Sequence, residues 1–479
     1  VSVQIFLQGK LTGVAEFLGA PIAHPEPDEV FTGRAHWVSL LSEVLPRAVL
    51  AELGLARILL GSSGGGQFLL VLPEESRGRA EEILRAAAAE VVALSGSRLR
   101  LIWACTENLG DWTDIRKRLQ DRLRERRGAP GYAADAEDVP ADEWFAREAG
   151  SRLREIEGIG WSPETPGRVL AEGGAHRWPV GSQADAIPFA RHAALRAGGD
   201  GLATVAELAA RAEGRAGWGV LRGDVDHFGV RFRRVTTIEE HIQLSVLYKQ
   251  FFAGEIEVLA SMPEFWRNVT VLYSGGDDFA VYGAWDALIP FARELQRLFH
   301  RFAAESLKDL PGPEGKTVTM ALALAPAADS TLATVFELAG ERLDAAKSAD
   351  KDCFWLFGRT LEWKQFTEAS ELKDALLRMV DDFGCSPRYL GDLCAIYRET
   401  QVKLSRRQAR RTGAEKPWRY HRRITRIFES RTEDAARRRE FEKAQSALIA
   451  DLIGRAAGYV KLRPAGRVAL EWARLARES

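Results

Sequence analysis

The chain has 479 residues, 46% hydrophobic and 28% charged, with a formal net charge of −1 at pH 7; that length suggests about three or four domains and the balance excludes a disordered polyelectrolyte. No apolar run approaches the roughly 18 residues that cross a bilayer and no signal-peptide pattern opens the chain, so a cytoplasmic location is expected. The four cysteines, Cys105, Cys353, Cys385 and Cys394, stand too far apart for a zinc ribbon or a disulfide framework, so no zinc is expected.

In chain order, the first segment reads as a strand at Val3–Gln8, a helix over Gly33–Gly54 and two strands within Arg57–Leu72 split at Gly61–Gly66. A helix at Glu74–Leu94 and a strand at Arg98–Ala104 complete it. Asp111–Gly217 reads as mostly helical, with loops around Gly128–Pro140 and Gly173–Ile187. The pattern then recurs: strand Trp218–Val225, helix Ile238–Met262, two strands within Asn268–Tyr282 split at Gly275–Gly276, helix Asp286–Leu307 and strand Thr317–Ala325. In the second helix Ile238, Ile242, Val246, Phe252, Ile256 and Leu259 fall broadly on one face, and Thr237 with Glu240 fits a capping box. Both segments follow the order β-α-β-β-α-β. The fold class expected is α+β: two ferredoxin-like domains at 1–110 and 218–363, a helical linker domain at 111–217, and a helical C-terminal domain at 364–479.

That last domain is basic. From Gln401 to Ser479 there are 21 basic and 9 acidic residues, with Trp418–Tyr420 and Arg437–Arg439 among them. The excess suits RNA or an RNA-bearing partner. An arginine-rich solvated helix surface accounts for it equally well.

The second segment carries the chemistry. Its first strand ends in Asp224-Val225-Asp226-His227-Phe228-Gly229, and its central hairpin turns at Ser274-Gly275-Gly276-Asp277-Asp278. In the βαββαβ order the first and third strands are neighbours, so both motifs converge at one edge of the sheet. Clustered carboxylates repel one another unless a cation joins them. Two Mg²⁺ (or Mn²⁺) ions suit such hard oxygen ligands, and would activate a ribose hydroxyl and stabilise departing pyrophosphate. Gly275 and Gly276 leave room for backbone N–H groups to approach a triphosphate. A Gly-Gly-Asp-Asp turn alone is an ordinary hairpin signal; its pairing with Asp-x-Asp about 50 residues earlier points to a metal-dependent nucleotidyltransferase.

These residues resemble the large polymerase-cyclase subunit of type III CRISPR effector complexes. The likeness rests on Asp224–Gly229, the turn Gly275–Asp278, and Ala346-Lys347 closing a helix before the strand at Phe354–Gly358 and Trp363. In the first segment it rests on Thr32–Ala35 and on Gly64-Gly65-Gly66-Gln67. The resemblance implies two facing palm domains with ATP between them, and an active palm that makes cyclic oligoadenylate messengers once guide RNA pairs with target RNA. It implies that Asp224, Asp277 and Asp278 hold the metals, that Asp226 belongs to the same motif as a further ligand or a structural residue, and that Ser274 lies beside the acceptor ATP. Lys347 is implied as a phosphate contact, a solvated helix-end lysine being the equal alternative. The partners implied are the other subunits of the complex, guide RNA and target RNA, with the basic end packing near the RNA.

Departures matter too. Lys10 stands where the first palm of the family often has Asp, and Gly64–Gln67 has no carboxylate, so this palm is expected to hold no metals. Gly64, Gly65 and Gly66 remain candidates for backbone contact with a nucleotide, or form a plain hairpin. No His-Asp pair occurs, so no HD nuclease activity is expected. Three other readings stay open: a diguanylate cyclase, an inactive scaffold subunit, and a transferase joining AMP to another small molecule.

Overall fold

The structure, a computed structural model, describes residues 3–128, 141–151, 155–181, 185–199, 201–395, 426–427, 434–456 and 459–478. Trp418–Tyr420 and nearly all of the loop expected at Gly128–Pro140 lie outside the described residues. The chain divides into two compact units, the first made of Val1–Arg211, Gly217–Thr319 and Leu324–Glu341.

The first unit mixes helices with two sheets. Its N-terminal sheet is built from β1 (Gln4–Thr12), β2 (Leu60–Gly64), β3 (Gln67–Pro73) and β4 (Arg100–Glu107), with α1 (Pro27–Glu52) and α2 (Arg77–Leu94) between them. The strand order is β2-β3-β1-β4. After α3 (Trp112–Gly128) and a small hairpin of β5 (Gly158–Trp161) and β6 (His176–Pro179), the second sheet begins at β7 (Trp218–Val225). Helix α4 (Ile238–Gln250) runs on through a wider turn at Phe251–Glu255 to Ala260. Then come β8 (Val269–Gly275), β9 (Asp278–Ala284), α5 (Trp285–Ser306) and β10 (Val318–Leu324). β9 pairs antiparallel with both β7 and β8. On its other side β7 meets the ends of β10, through Ala325 N–H to Trp218 O at 3.0 Å and Asp226 N–H to Thr317 O at 2.9 Å.

Helix α1 brings the two sheets together. Trp37, Leu40, Leu41, Val44 and Leu45 are each 0% exposed, so the helix has no solvent face of the usual amphipathic kind. Its polar groups find partners across the core: Thr32 Oγ1 with Tyr282 OH at 3.4 Å, His36 Nε2 with Val271 O at 3.3 Å, and Trp37 Nε1 donating to Gly167 O at 2.9 Å. A helix from the first segment thus packs on the β8–β9 hairpin of the second.

The expected helical linker is corrected. Past α3 the described part of 111–217 has short helical turns at Asp142–Ser151 and Val205–Ala210, but is otherwise the β5–β6 hairpin and irregular chain. Gly158, Gly160, Pro163, Pro166, Gly167, Gly173 and Gly174 punctuate this stretch too often for a helix.

The second unit comprises Ala212–Ala216, Met320–Ala323 and Arg342–Ser479. Here Met320 and Ala321 pair parallel with β11 (Cys353–Leu356), which pairs antiparallel with β12 (Arg359–Glu362). Helix α6 (Leu332–Ala349) ends in this unit, and α7 (Trp363–Asp381) packs on α9 (Pro464–Arg477), with Phe366 stacked on Trp472 at 5.9 Å. The helical C-terminal domain needs one correction: after α8 (Ala435–Leu452), β13 (Ile453–Ala456) and β14 (Tyr459–Leu462) form an antiparallel hairpin. The β-branched and aromatic Ile453, Tyr459 and Val460 flanking small residues favour strands there. Among the described residues no helix is long and apolar enough to cross a membrane.

Candidate active site

The β8–β9 hairpin closes through the pair Gly275 and Asp278, leaving Gly276 and Asp277 as the two turn residues. Gly276 has φ 72°, the left-handed value that a tight hairpin demands at this position and that glycine adopts without strain. The ladder sets Asp224, at the end of β7, directly opposite Asp278 on β9. Val225 N–H then bonds Asp277 O at 2.8 Å, so Asp224, Asp277 and Asp278 share one end of the sheet, each half-buried.

Asp226 is different. It is 1% exposed, and its two carboxylate oxygens accept from Thr317 Oγ1 at 2.8 Å and Thr319 Oγ1 at 2.7 Å. Of the two roles expected for it, further metal ligand or structural residue, these bonds favour the second, since they tie the end of β7 to β10. Among the described residues no group of three or more His, Cys, Asp or Glu side chains is arranged to hold a metal as it stands. What the backbone supplies is hard oxygen donors on adjoining strands, a donor set that fits Mg²⁺ once the side chains rotate toward a common point.

The N-terminal sheet repeats this geometry with different chemistry. Gly64 pairs with Gln67, so Gly65 and Gly66 form the turn, with φ of 59° and 70°. Lys10 pairs with Gln67 as Asp224 pairs with Asp278, and Leu11 N–H bonds Gly66 O at 2.7 Å as Val225 bonds Asp277. Each hairpin also carries an irregularity three residues before its last paired glycine, between Leu60 and Ser62 and between Val271 and Tyr273. Lys10, Gly66 and Gln67 thus occupy the places of Asp224, Asp277 and Asp278.

The two turns meet. A Cβ built on Gly65 would lie 3.7 Å from Gly275 O and 3.8 Å from Gly276 Cα. On one side of this contact is a cavity of about 330 Å³ lined by Ser39, Arg222, Tyr273, Ser274 and Asp278. On the other is one of about 240 Å³ lined by Trp112, Arg116, Arg233, His241 and Asp277. Gly64, Gly65 and Lys249 border both.

In the first cavity Tyr273 OH donates to Asp278 Oδ2 at 3.3 Å and receives Arg222 Nη2 at 3.4 Å, while the Arg222 guanidinium lies 4.2 Å from the Phe336 ring centre. Burial, then the Asp278 carboxylate, push the Tyr273 hydroxyl pKa up, so it stays a donor. Ser274 borders this cavity and donates to Phe252 O at 2.6 Å. In the second, His241 packs edge-on against Trp112 and Phe232, and burial, aided by Arg116, lowers its pKa to about 4.

Between the cavities lies a buried cluster the sequence does not reveal. Glu43 Oε2 accepts from Lys249 Nζ at 2.6 Å, Arg47 Nη1 at 2.8 Å and Ser63 Oγ at 2.9 Å, and Lys249 also donates to Ser63 Oγ at 2.8 Å. Burial disfavours the Glu43 carboxylate, but Lys249 and Arg47 outweigh it and hold its pKa low. Lys249 and Glu43 are 206 residues apart. Only the helical pair Glu43 and Arg47 could have been read from spacing. Lys347 lies in the last turn of α6, in the second unit.

Comparison with known proteins follows these features. Residues 218–355 match the family model for the second palm domain of Cas10/Cmr2. A 193-residue stretch is 26% identical to the CRISPR system single-strand-specific deoxyribonuclease Cas10/Csm1 (subtype III-A) of Thermococcus onnurineus, covering 35% of this chain. That stretch spans 23% of the Thermococcus protein's own length. The fold is similar to the crystal structure of a Csm1-Csm4 subcomplex in the type III-A CRISPR-Csm interference complex, with TM-score 0.71 and 18% identity over 99% of this chain and 70% of that one. Csm1-Csm4 cassettes crystallised with one ATP or with cA3 each score 0.68 at 18% identity, with the same coverage of 99% and 70%. The resemblance to the type III large subunit is borne out.

Proposed function

From the match of residues 218–355 to the second palm domain of Cas10/Cmr2, we propose that the chain is the large subunit of an RNA-guided type III effector complex whose second palm converts ATP into cyclic oligoadenylates. The observation that carries the reading is the placing of Asp224 opposite Asp278, with Asp277 in the adjoining turn. That this chain's other hairpin has Lys10, Gly66 and Gln67 at the same places supports a single palm as the seat of the chemistry.

In this reading the chain is two ferredoxin-like palms at 1–110 and 218–363, a linker at 111–217 and a basic C-terminal domain at 364–479. One ATP occupies each cavity. Arg116 and Arg233 border the cavity of Asp277, where their charge suits a triphosphate. Ser274 and Asp278 border the other, where the acceptor's ribose sits. A ribose hydroxyl of the acceptor forms a bond to the α-phosphorus of the other ATP, its proton leaves to solvent or a carboxylate, and pyrophosphate departs. The same step within one linear product closes the ring. Asp224, Asp277 and Asp278 would hold two Mg²⁺, which when bound lower the pKa of the attacking hydroxyl and neutralise charge on the phosphates. Glycines at 275 and 276 keep the backbone open to the phosphates. The Csm1-Csm4 cassettes with one ATP and with cA3 support ATP as substrate and a cyclic adenylate as product. The other subunits, guide RNA and target RNA complete the assembly, and the 21 basic residues beyond Gln401 suit contact with RNA.

The test is to incubate the assembled complex, guide and matching target RNA with labelled ATP and Mg²⁺, and to resolve products by mass. Oligoadenylates should form with matching target and vanish in the Asp277→Ala/Asp278→Ala variant, whose assembly is unchanged. Product surviving in that variant, or an intact native complex that makes none, would sink the proposal.

A further inference from the structure

The Glu43, Lys249, Ser63 and Arg47 cluster has the position of a device and not only of a packing contact. Glu43 lies on α1 of the first segment, Lys249 at the end of α4 in the second, and Ser63 next to the glycine turn of the first hairpin. Side-chain exposure is 6% for Glu43, 14% for Lys249 and 3% for Arg47. Two cations share one carboxylate, and among the described residues Arg47 Nε has no hydrogen-bond partner. Burying three charges costs more than burying apolar side chains of the same volume, so the cluster is a poor device for stability alone.

What it does hold is alignment. Lys249 grips Glu43 and Ser63 together, and the other Glu43 oxygen stands 3.2 Å from where a Cβ would be on Gly64. The next residue, Gly65, lies against Gly275 and Gly276, which precede Asp277: a Cβ there would be 3.7 Å from Gly275 O and 3.8 Å from Gly276 Cα. Lys249 also borders both cavities. A continuous chain of contacts thus runs from Lys249 through the carboxylate-free hairpin to the carboxylate hairpin.

We propose that Lys249 and Glu43 are positioning residues that set the register of the two cavities, so that a ligand in one is presented to a ligand in the other. The inference rests on the nucleotidyl-transfer reading above. Bond formation between two bound nucleotides depends on their mutual placement, and a shift of about 1 Å costs roughly a hundredfold in rate. Binding of each nucleotide to its own cavity depends on it far less.

The experiment is steady-state oligoadenylate synthesis by the full chain in its target-bound complex, with Tm measured on the same samples. Lys249→Met should lower kcat about 10- to 100-fold while KM for ATP stays within about threefold. Lys249→Arg, which can keep the ion pair, should recover most of kcat. Glu43→Gln/Arg47→Met/Lys249→Met removes all three buried charges and should regain the Tm lost in Glu43→Gln, which leaves two cations unpaired, yet keep the low kcat. A kcat that returns with the Tm in the triple variant would show a purely structural role and overturn the inference, as would a change carried by KM instead. A native complex that makes no product would overturn the functional reading and this inference together; an active one with kcat indifferent to Lys249 overturns this inference alone.

Discussion

Asp224 and Asp226 are two residues apart and face different tasks. Both Asp226 oxygens accept from Thr317 and Thr319, and the aspartate itself is buried. Asp226→Ala strands two threonine hydroxyls and should cost about 1–3 kcal/mol of stability, read as a lower Tm. Asp224→Ala should leave Tm within a degree or two and abolish synthesis. Equal Tm losses in the two variants would refute this division of labour. His241 gives a second residue-scale expectation. Its folded pKa of about 4 lies below the ordinary 6.5 of the unfolded chain. The unfolded state therefore binds the proton first: the stability due to neutral His241 is complete above pH 6.5 and is lost as pH falls toward 4. Denaturant titrations across that window should show a shallower acid loss in His241→Phe than in the native chain. An unchanged slope would mean that His241 titrates normally.

At the scale of elements, the glycine turns make the sharpest demand. Gly65 has φ 59° and faces a neighbouring backbone, so Gly65→Val should lower stability by at least about 1 kcal/mol, whereas Gly65→Asn, which tolerates this conformation, should cost less. Chemical denaturation of the pair checks it; identical losses would argue that backbone conformation is not the constraint. These turns were legible in sequence, because Gly-Gly between β-branched and aromatic runs has few other uses. So were the strand at Trp218–Val225 and the capping box at Thr237, each a local pattern with a local cause. The matched irregularities in the two hairpins were not, since an extra residue in a strand leaves the composition unchanged. Nor was the β5–β6 hairpin, within a segment that reads as mostly helical but is punctuated by Gly and Pro. Lys249 carries no signal of its own in the sequence. Its role depends on a partner on a different helix, and periodicity carries no information about that.

Over the whole molecule, one strand-turn-strand geometry is used twice with opposite chemistry. Lys10, Gly66 and Gln67 fill the places of Asp224, Asp277 and Asp278. Installing carboxylates there, as Lys10→Asp/Gly66→Asp/Gln67→Asp, should lower Tm through like-charge repulsion, and added Mn²⁺ should restore part of that loss and not do so in the native hairpin. A Tm indifferent to Mn²⁺ would show that strand register alone does not make a metal site. The contact between Gly65 and Gly275–Gly276 has a further consequence, for descent and for engineering. The partition between the two cavities is made of main chain, which point mutations can crowd but cannot restyle. Each cavity can therefore drift in its choice of ligand by changes on its own walls, Ser39 and Arg222 on one side, Trp112 and His241 on the other, while the partition stays common to both. A chain built this way can come to accept two unlike substrates by small independent steps, without rebuilding the place where they are joined.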